Sequence, residues 1–265
     1  MSGASPTPLK AALVDIQGTL LATGGSPLPH AGDAIAALKA RGIAVRFVTN
    51  IDSVPPQTIY ERLRAAGIPV SLAEVFSPVS AACRYLERHG RPRCFLLVPE
   101  AVEQQFAAFR ANGNRVDYVV VGDCREAFTY ERLNIALRHL TAGAQLVALQ
   151  KGRNFATPDG PALDTGAFVS ALEYGANVQA YVVGKPSTEL LRLAMADVGC
   201  DAFEVIVVGD DVNSDVAGAL AVGARSVLVR TGKFTLAALE QLERKPELVI
   251  DSIGDLPSAL VELGL

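Results

Sequence analysis

The sequence predicts an α/β protein, a parallel sheet core carrying an inserted α/β domain. Two observations lead there. Short apolar, β-branched runs alternate with helical patterns along the chain, the order that builds strand–helix–strand units. Those runs are continuous rather than alternating in polarity, as in strands covered on both faces by helices. Size agrees: 265 residues, 50% hydrophobic and 20% charged, suffice for one large or two modest domains with real cores.

The elements follow in order. Ala11-Ala12-Leu13-Val14 is a buried strand that ends at Asp15 and a Gly-Thr turn. Residues 31–41 form a helix with Gly42 placed to stop it, and Val45-Arg46-Phe47-Val48 is a strand ending in Thr49-Asn50. Pro55-Pro56 opens a helix whose Ile59, Leu63 and Ala66 share one face, ended by Gly67. Further strands are expected at 95–98, 118–121, 146–149, 180–183, 205–208, 226–229 and 248–250. No internal repeat or low-complexity segment interrupts them. The middle of the chain carries strands and helices of its own but no polar strand tips, so the expected division is a core of residues 1–80 and 182–265 and an inserted domain of 81–181.

Composition excludes several classes. With 24 Lys+Arg against 28 Asp+Glu the net charge is −4. Without a basic run, neither nucleic acid nor an anionic membrane is expected as partner. Trp is absent and aromatic residues are 6%, too few for a stacking platform on single strands. No apolar stretch approaches the ~20 residues that span a bilayer. The opening Met-Ser-Gly-Ala-Ser-Pro has no basic segment leading into an apolar one, so no signal peptide is expected and a cytoplasmic location is. Cys83, Cys94, Cys124 and Cys200 form no CxxC and have no His at ligand spacing, which leaves four ordinary reduced thiols.

In open parallel sheets ligands sit beyond the carboxyl ends of the strands, and those ends are chemically suggestive here. They read Asp15-x-x-Gly18-Thr19, Thr49-Asn50, Gly184-Lys185-Pro186 and Gly209-Asp210-Asp211-x-x-x-Asp215. A carboxylate such as Asp15 can attack phosphorus. Lys185 can neutralise a phosphoryl group, Thr49 and Asn50 can donate to it, and backbone N–H groups near Gly18 and Thr19 can cradle it. Asp210, Asp211 and Asp215 offer the hard oxygen ligands that suit Mg²⁺ beside phosphate. Taken singly, each tip is equally a helix cap or a solvated loop residue.

Taken in order, the tips resemble the haloacid dehalogenase superfamily of phosphotransferases. Asp15-Ile16-Gln17-Gly18-Thr19-Leu20 is similar to its first motif, Phe47-Val48-Thr49-Asn50 to the second, Gly184-Lys185-Pro186-Ser187 to the third, and 209–215 to the fourth. The stretches 128–134 and 165–168 resemble the α/β cap of the type IIA branch. The resemblance implies a Rossmann-like parallel sheet core with an inserted α/β cap, and a Mg²⁺-dependent phosphatase acting on a small phosphorylated substrate. It makes Asp15 the nucleophile and a metal ligand, beside the main-chain carbonyl of Gln17 and the Asp210 carboxylate, with Asp211 and Asp215 outside them. Thr49 and Asn50 would hold the phosphoryl group, and Lys185 would neutralise it and orient Asp15. The cap would exclude water and choose the leaving group. A homodimer through the cap rests on the resemblance alone.

Position 17 departs from the pattern. Most superfamily phosphatases carry an Asp there that protonates the leaving group and then activates water. Gln17 has no proton to exchange near neutral pH. Members of this branch that act on phosphohistidine commonly have Ser, so the enzyme reading survives. Such acid–base help is worth ~10²–10⁴-fold, so leaving groups that depart without it are favoured: phosphoramidates, pyrophosphate and aryl phosphates. The alternative is a catalytically weak phosphate-binding or regulatory protein on the same fold. A dinucleotide-binding oxidoreductase is disfavoured because the first turn lacks GxGxxG, and a receiver domain because the chain is too long. His30, His89 and His139 lie away from the tips and read as ordinary surface or satisfied residues; Arg153, Asn154 and Asp159 are weaker substrate candidates.

Overall fold

The computed structural model describes residues 8–111, 115–157 and 159–265; the signal-peptide expectation falls on residues outside this set. In chain order the strands are β1 (Ala11–Asp15), β2 (Ala44–Val48), β3 (Val75–Phe76), β4 (Cys94–Leu97), β5 (Tyr118–Val121), β6 (Gln145–Ala148), β7 (Asn154–Thr157), β8 (Gly160–Leu163), β9 (Tyr181–Val182), β10 (Val205–Gly209), β11 (Arg225–Val229) and β12 (Leu248–Ile250). The chain forms two compact units. One comprises 1–49, 57–76 and 186–265; the other comprises 50–56 and 77–185.

The first unit is a six-stranded sheet in the order β12-β11-β10-β1-β2-β3, with all its pairings parallel. Every residue of β1 and β10 is buried, as continuous Val/Ile/Leu runs in the middle of a covered sheet require. The flanking helices place their apolar stripes inward: Ala31, Ala34, Ile35 and Leu38 on Ala31–Ala40, Ile59 and Leu63 on Pro56–Ala65, and Leu190, Leu191, Leu193 and Ala194 on Glu189–Val198. From β1 the chain steps outward to β2 and β3, then returns to lay β10 on the other side of β1. The strand order therefore reverses between β1 and β10, and at such a switch point the loops part to leave a crevice beyond the carboxyl ends.

The inserted unit has a parallel sheet of its own, β4-β5-β6-β9, and an antiparallel hairpin, β7–β8. Its helices include Pro78–Arg88, Tyr130–Thr141 and Thr165–Ala176. Each begins at a side-chain cap: Ser77 accepts from the Ser80 N–H, Thr129 from Arg132 and Asp164 from Thr165. Leu97, Val119, Val121, Leu140, Leu146, Val169 and Leu172 fill the core. The rings of Phe128 and Phe168, from the two stretches that resembled a cap, stack 3.9 Å apart.

The predicted α/β architecture is thus present, with local differences. β9 has two residues where 180–183 was expected, and β3 and the hairpin were not predicted. β3 pairs through only two residues at the sheet edge, too few to show a period. β8 alternates half-buried and exposed positions and begins at Gly160-Pro161, composition that reads as a loop. All four cysteines are free, and burial pushes the Cys83, Cys94 and Cys124 thiols up to about 12. Among the described residues no helix is long and apolar enough to cross a membrane.

Candidate active site

The switch point puts the ends of β1 and β10 side by side. Asp15 is the last residue of β1, and Asp210 directly follows Gly209, the last residue of β10. With Asp215 they form a cluster in which one carboxylate oxygen from each lies within 4.8 Å of the others. All three are buried, at 8%, 2% and 2% exposure. Burial drives the Asp210 carboxyl upward in pKa and Asp215 adds to the rise; the Lys233 backbone N–H, donating to Asp210 Oδ2 at 2.7 Å, works against it. Three buried carboxylates so close together repel unless a cation or a proton joins them.

Glycines make the close approach feasible. Gly18 (φ +82°) and Gly232 (φ +60°) lie against the Asp210 carboxylate, and a Cβ on either would overlap it. Their left-handed backbone also favours glycine. The Thr231 hydroxyl donates to the Gly18 carbonyl and ties the two loops together. The loop after Asp15 is held by its own bonds, Gly18 N–H to the Leu21 carbonyl at 2.7 Å and Leu20 N–H to the Ile16 carbonyl at 3.0 Å. Gln17 is exposed on this loop, whereas Thr19 is fully buried. Among the described residues, the Thr19 hydroxyl has no hydrogen-bond partner.

Asp211 takes a different part from Asp215. Its Oδ1 accepts the N–H groups of Asn213 and Ser214, capping the π turn Val212–Val216, and its Oδ2 meets the Lys233 ammonium at 3.2 Å. Burial alone would raise the Asp211 carboxyl, but Lys233 and the capping N–H groups outweigh it and hold it below its usual value. Burial likewise opposes the charge of Lys233, and Asp211 and Asp210 overcome it. Asp215 accepts the Asp211 N–H at 3.2 Å.

Thr49 belongs to the first unit, 2% exposed, its N–H donating to the Phe76 carbonyl at 3.0 Å. Asn50 and Lys185 belong to the inserted unit and clamp each other. The Asn50 amide donates to the Lys185 carbonyl and accepts the Lys185 N–H, both at 2.7 Å. A Cβ on Gly184 would collide with the Leu149 carbonyl and Asn50 Oδ1, so that motif glycine makes room for the clamp. Lys185 is 4% exposed. His30 pairs with Asp33 at 3.3 Å, His89 with the Tyr85 carbonyl, and His139 packs on Phe95; none belongs to the carboxylate cluster.

Sequence reasoning did not single out Thr231, Gly232 and Lys233. Their signal was their place, directly after a predicted buried strand; the tip Arg-Thr-Gly-Lys carries little recognisable chemistry until Asp210 lies against it.

Comparison with known proteins gives the family. A family model described as haloacid dehalogenase-like hydrolase matches residues 12–111, and a second, HAD-hydrolase-like, matches 182–256. Over 92% of its length the chain is 38% identical to haloacid dehalogenase-like hydrolase domain-containing protein 2 of Bos taurus, covering 93% of that protein. The chain belongs to the haloacid dehalogenase-like hydrolases. It is also 33% identical, over 96% of its length and 95% of the relative's, to the human phospholysine phosphohistidine inorganic pyrophosphate phosphatase. Among solved structures, the p-nitrophenyl phosphatase from Archaeoglobus fulgidus superposes with a TM-score of 0.87 at 31% identity, covering 96% of this chain and 100% of that one. The 4-nitrophenylphosphatase from Thermotoga maritima gives 0.86 at 28%, covering 95% and 97%. The matched ranges include both strands whose tips form the carboxylate cluster, β1 and β10.

Proposed function

We propose that this hydrolase is a Mg²⁺-dependent phosphatase that cleaves a small phosphorylated substrate through a phosphoryl group carried on Asp15. The observation that carries the reading is the buried cluster of Asp15, Asp210 and Asp215 at the switch point. The names of the relatives, phosphatases of nitrophenyl phosphate and of phosphohistidine and pyrophosphate, support it.

A divalent cation suits these residues. The donors are hard oxygens, they are held without room for a side chain at Gly18 or Gly232, and their mutual repulsion calls for positive charge. Asp15, Asp210 and the Gln17 carbonyl would hold Mg²⁺, with Asp211 and Asp215 around them. When bound, the ion would neutralise charge shared by the carboxylates and the substrate oxygens.

The chain's own groups would do the rest. An Asp15 carboxylate oxygen forms a bond to phosphorus while the bond from phosphorus to the leaving atom breaks, its electron pair departing with that atom. On the family resemblance, Thr49 and Asn50 would donate to the phosphoryl oxygens and Lys185 would balance their charge. Water then takes phosphorus from Asp15, releasing phosphate and restoring the carboxylate. Gln17 supplies no proton to the departing atom. Substrates whose leaving groups need none are therefore favoured: phosphoramidates, pyrophosphate and aryl phosphates over alkyl phosphates.

The test is hydrolysis of p-nitrophenyl phosphate with and without Mg²⁺ beside an Asp15→Asn variant. Turnover that requires both the metal and Asp15 is expected; turnover that survives Asp15→Asn overturns the mechanism. Gln17 favours a second reading, a phosphate-binding protein that no longer turns over. That reading predicts phosphate-dependent thermal stabilisation with no hydrolysis of any of these substrates.

A further inference from the structure

Lys233 belongs to none of the four motifs, yet its loop closes on the carboxylate cluster. β11 ends at Val229, and the chain then runs Arg230-Thr231-Gly232-Lys233. Gly232, with its left-handed backbone at φ +60°, packs against the Asp210 carboxylate. Lys233 comes next and makes two contacts. Its N–H donates to Asp210 Oδ2 at 2.7 Å, and its ammonium donates to Asp211 Oδ2 at 3.2 Å. The first is a backbone contact that any residue but proline could make. The second needs a cation.

Asp211 does not depend on that cation for its place. Its Oδ1 accepts from the N–H groups of Asn213 and Ser214, and its own N–H donates to Asp215. The ammonium therefore contributes charge more than bracing. Asp15, Asp210 and Asp215 are buried, whereas the Lys233 side chain is 73% exposed and that of Asp211 is 20% exposed. Partial burial opposes the charge on Lys233; Asp211, then Asp210, then Asp15 overcome it, so the ammonium acts on Asp15 as well as on its direct partner. Together Lys233 and Asp211 are neutral. Without the ammonium, a fourth uncancelled carboxylate would stand beside the other three. A positive charge next to a divalent-cation site weakens cation binding and strengthens the binding of an anion to the same place.

We propose that Lys233 sets the balance of the site between its two charged ligands, lowering affinity for the divalent cation alone and raising affinity for the phosphoryl group that joins it. This role rests on the Mg²⁺-dependent phosphatase reading of the site and names a further residue that tunes it. Joint binding of cation and substrate is then favoured over occupancy by the cation alone.

Two calorimetric titrations read the two affinities separately: Mg²⁺ onto the protein alone, and inorganic phosphate onto protein saturated with Mg²⁺. At low ionic strength Lys233→Met should tighten Mg²⁺ binding about threefold or more and weaken phosphate binding about threefold or more. Both changes should shrink in high salt. Opposite signs are the signature, since a distorted site would lose affinity for both ligands. Lys233→Arg, which keeps the charge, should preserve both affinities, and Asp211→Asn, which keeps the Oδ1 acceptor, should shift each in the reverse direction. Lys233→Met alters an exposed side chain and leaves the backbone contact with Asp210, so the fold is kept; an unchanged unfolding midpoint verifies this. If the parent binds both ligands, changes of the same sign in Lys233→Met, or no change in either affinity, overturn this role for Lys233 and leave the phosphatase reading standing. A parent that fails to bind either ligand overturns both.

Discussion

Replacing Asp52 by Asn should stabilise the protein at neutral pH and flatten its pH dependence. Asp52 is in the inserted unit, 4% exposed, and its Oδ2 accepts the Asp123 N–H at 3.2 Å. Desolvation first, then the Asp123 and Asp164 carboxylates, push its pKa up to about 7 from 3.8. The folded chain therefore holds a proton that the unfolded chain releases above pH ~4, so unfolding is favoured progressively as pH rises. The stabilisation is fully present below pH 3.8, is lost as pH climbs through about 7, and does not change further above that. The difference of about 3 pKa units corresponds to at most about 4 kcal/mol. Asn keeps the oxygen that accepts from Asp123 and carries no charge, so its stability should fall less across this window. Urea unfolding of both proteins at pH 4, 5, 6, 7 and 8 measures the effect. The curves should nearly coincide at pH 4, and the variant should lead by about 1–4 kcal/mol at pH 8. Parallel curves, or a variant less stable than the parent at pH 8, would refute the assignment of a buried, protonated Asp52.

Three other outcomes are expected. Gln17→Asp should raise kcat for an alkyl phosphate about 10²-fold or more while changing an aryl phosphate little; steady-state kinetics on a matched pair would show equal gains if leaving-group protonation is not what position 17 lacks. Gly232→Ala should cost about 1 kcal/mol or more in stability for its left-handed backbone and, by displacing the Asp210 carboxylate, reduce the rise in melting temperature on adding Mg²⁺; an undiminished rise would show that Asp210 does not hold the metal. Asn50→Ala removes both hydrogen bonds to the Lys185 backbone and should destabilise the protein by about 1–3 kcal/mol in urea unfolding.

Sequence alone determined the buried strands of the two parallel sheets, apart from the two-residue β3, and their polar tips, because these are written locally; the antiparallel β7–β8 hairpin was not legible there. Val-rich runs such as 205–208 and 118–121 are uninterrupted wherever both faces are covered, and Asp15, Thr49 and Asp210 come at the point where apolar continuity ends. The motif order carried the family for the same reason. Tertiary structure decided what those tips do to one another. The return of the chain to lay β10 beside β1 brings Asp15, Asp210 and Asp215 together, and no periodicity records a distance between residues so far apart in sequence. Gly232 and Lys233 gain a role only because Asp210 arrives against them. In a Pro-rich loop Asp52 resembles any exposed turn residue, and only packing against residues 122–123 buries its charge. Local sequence sets backbone preference and burial pattern, while desolvation and charge proximity are properties of groups that meet only after the chain has folded.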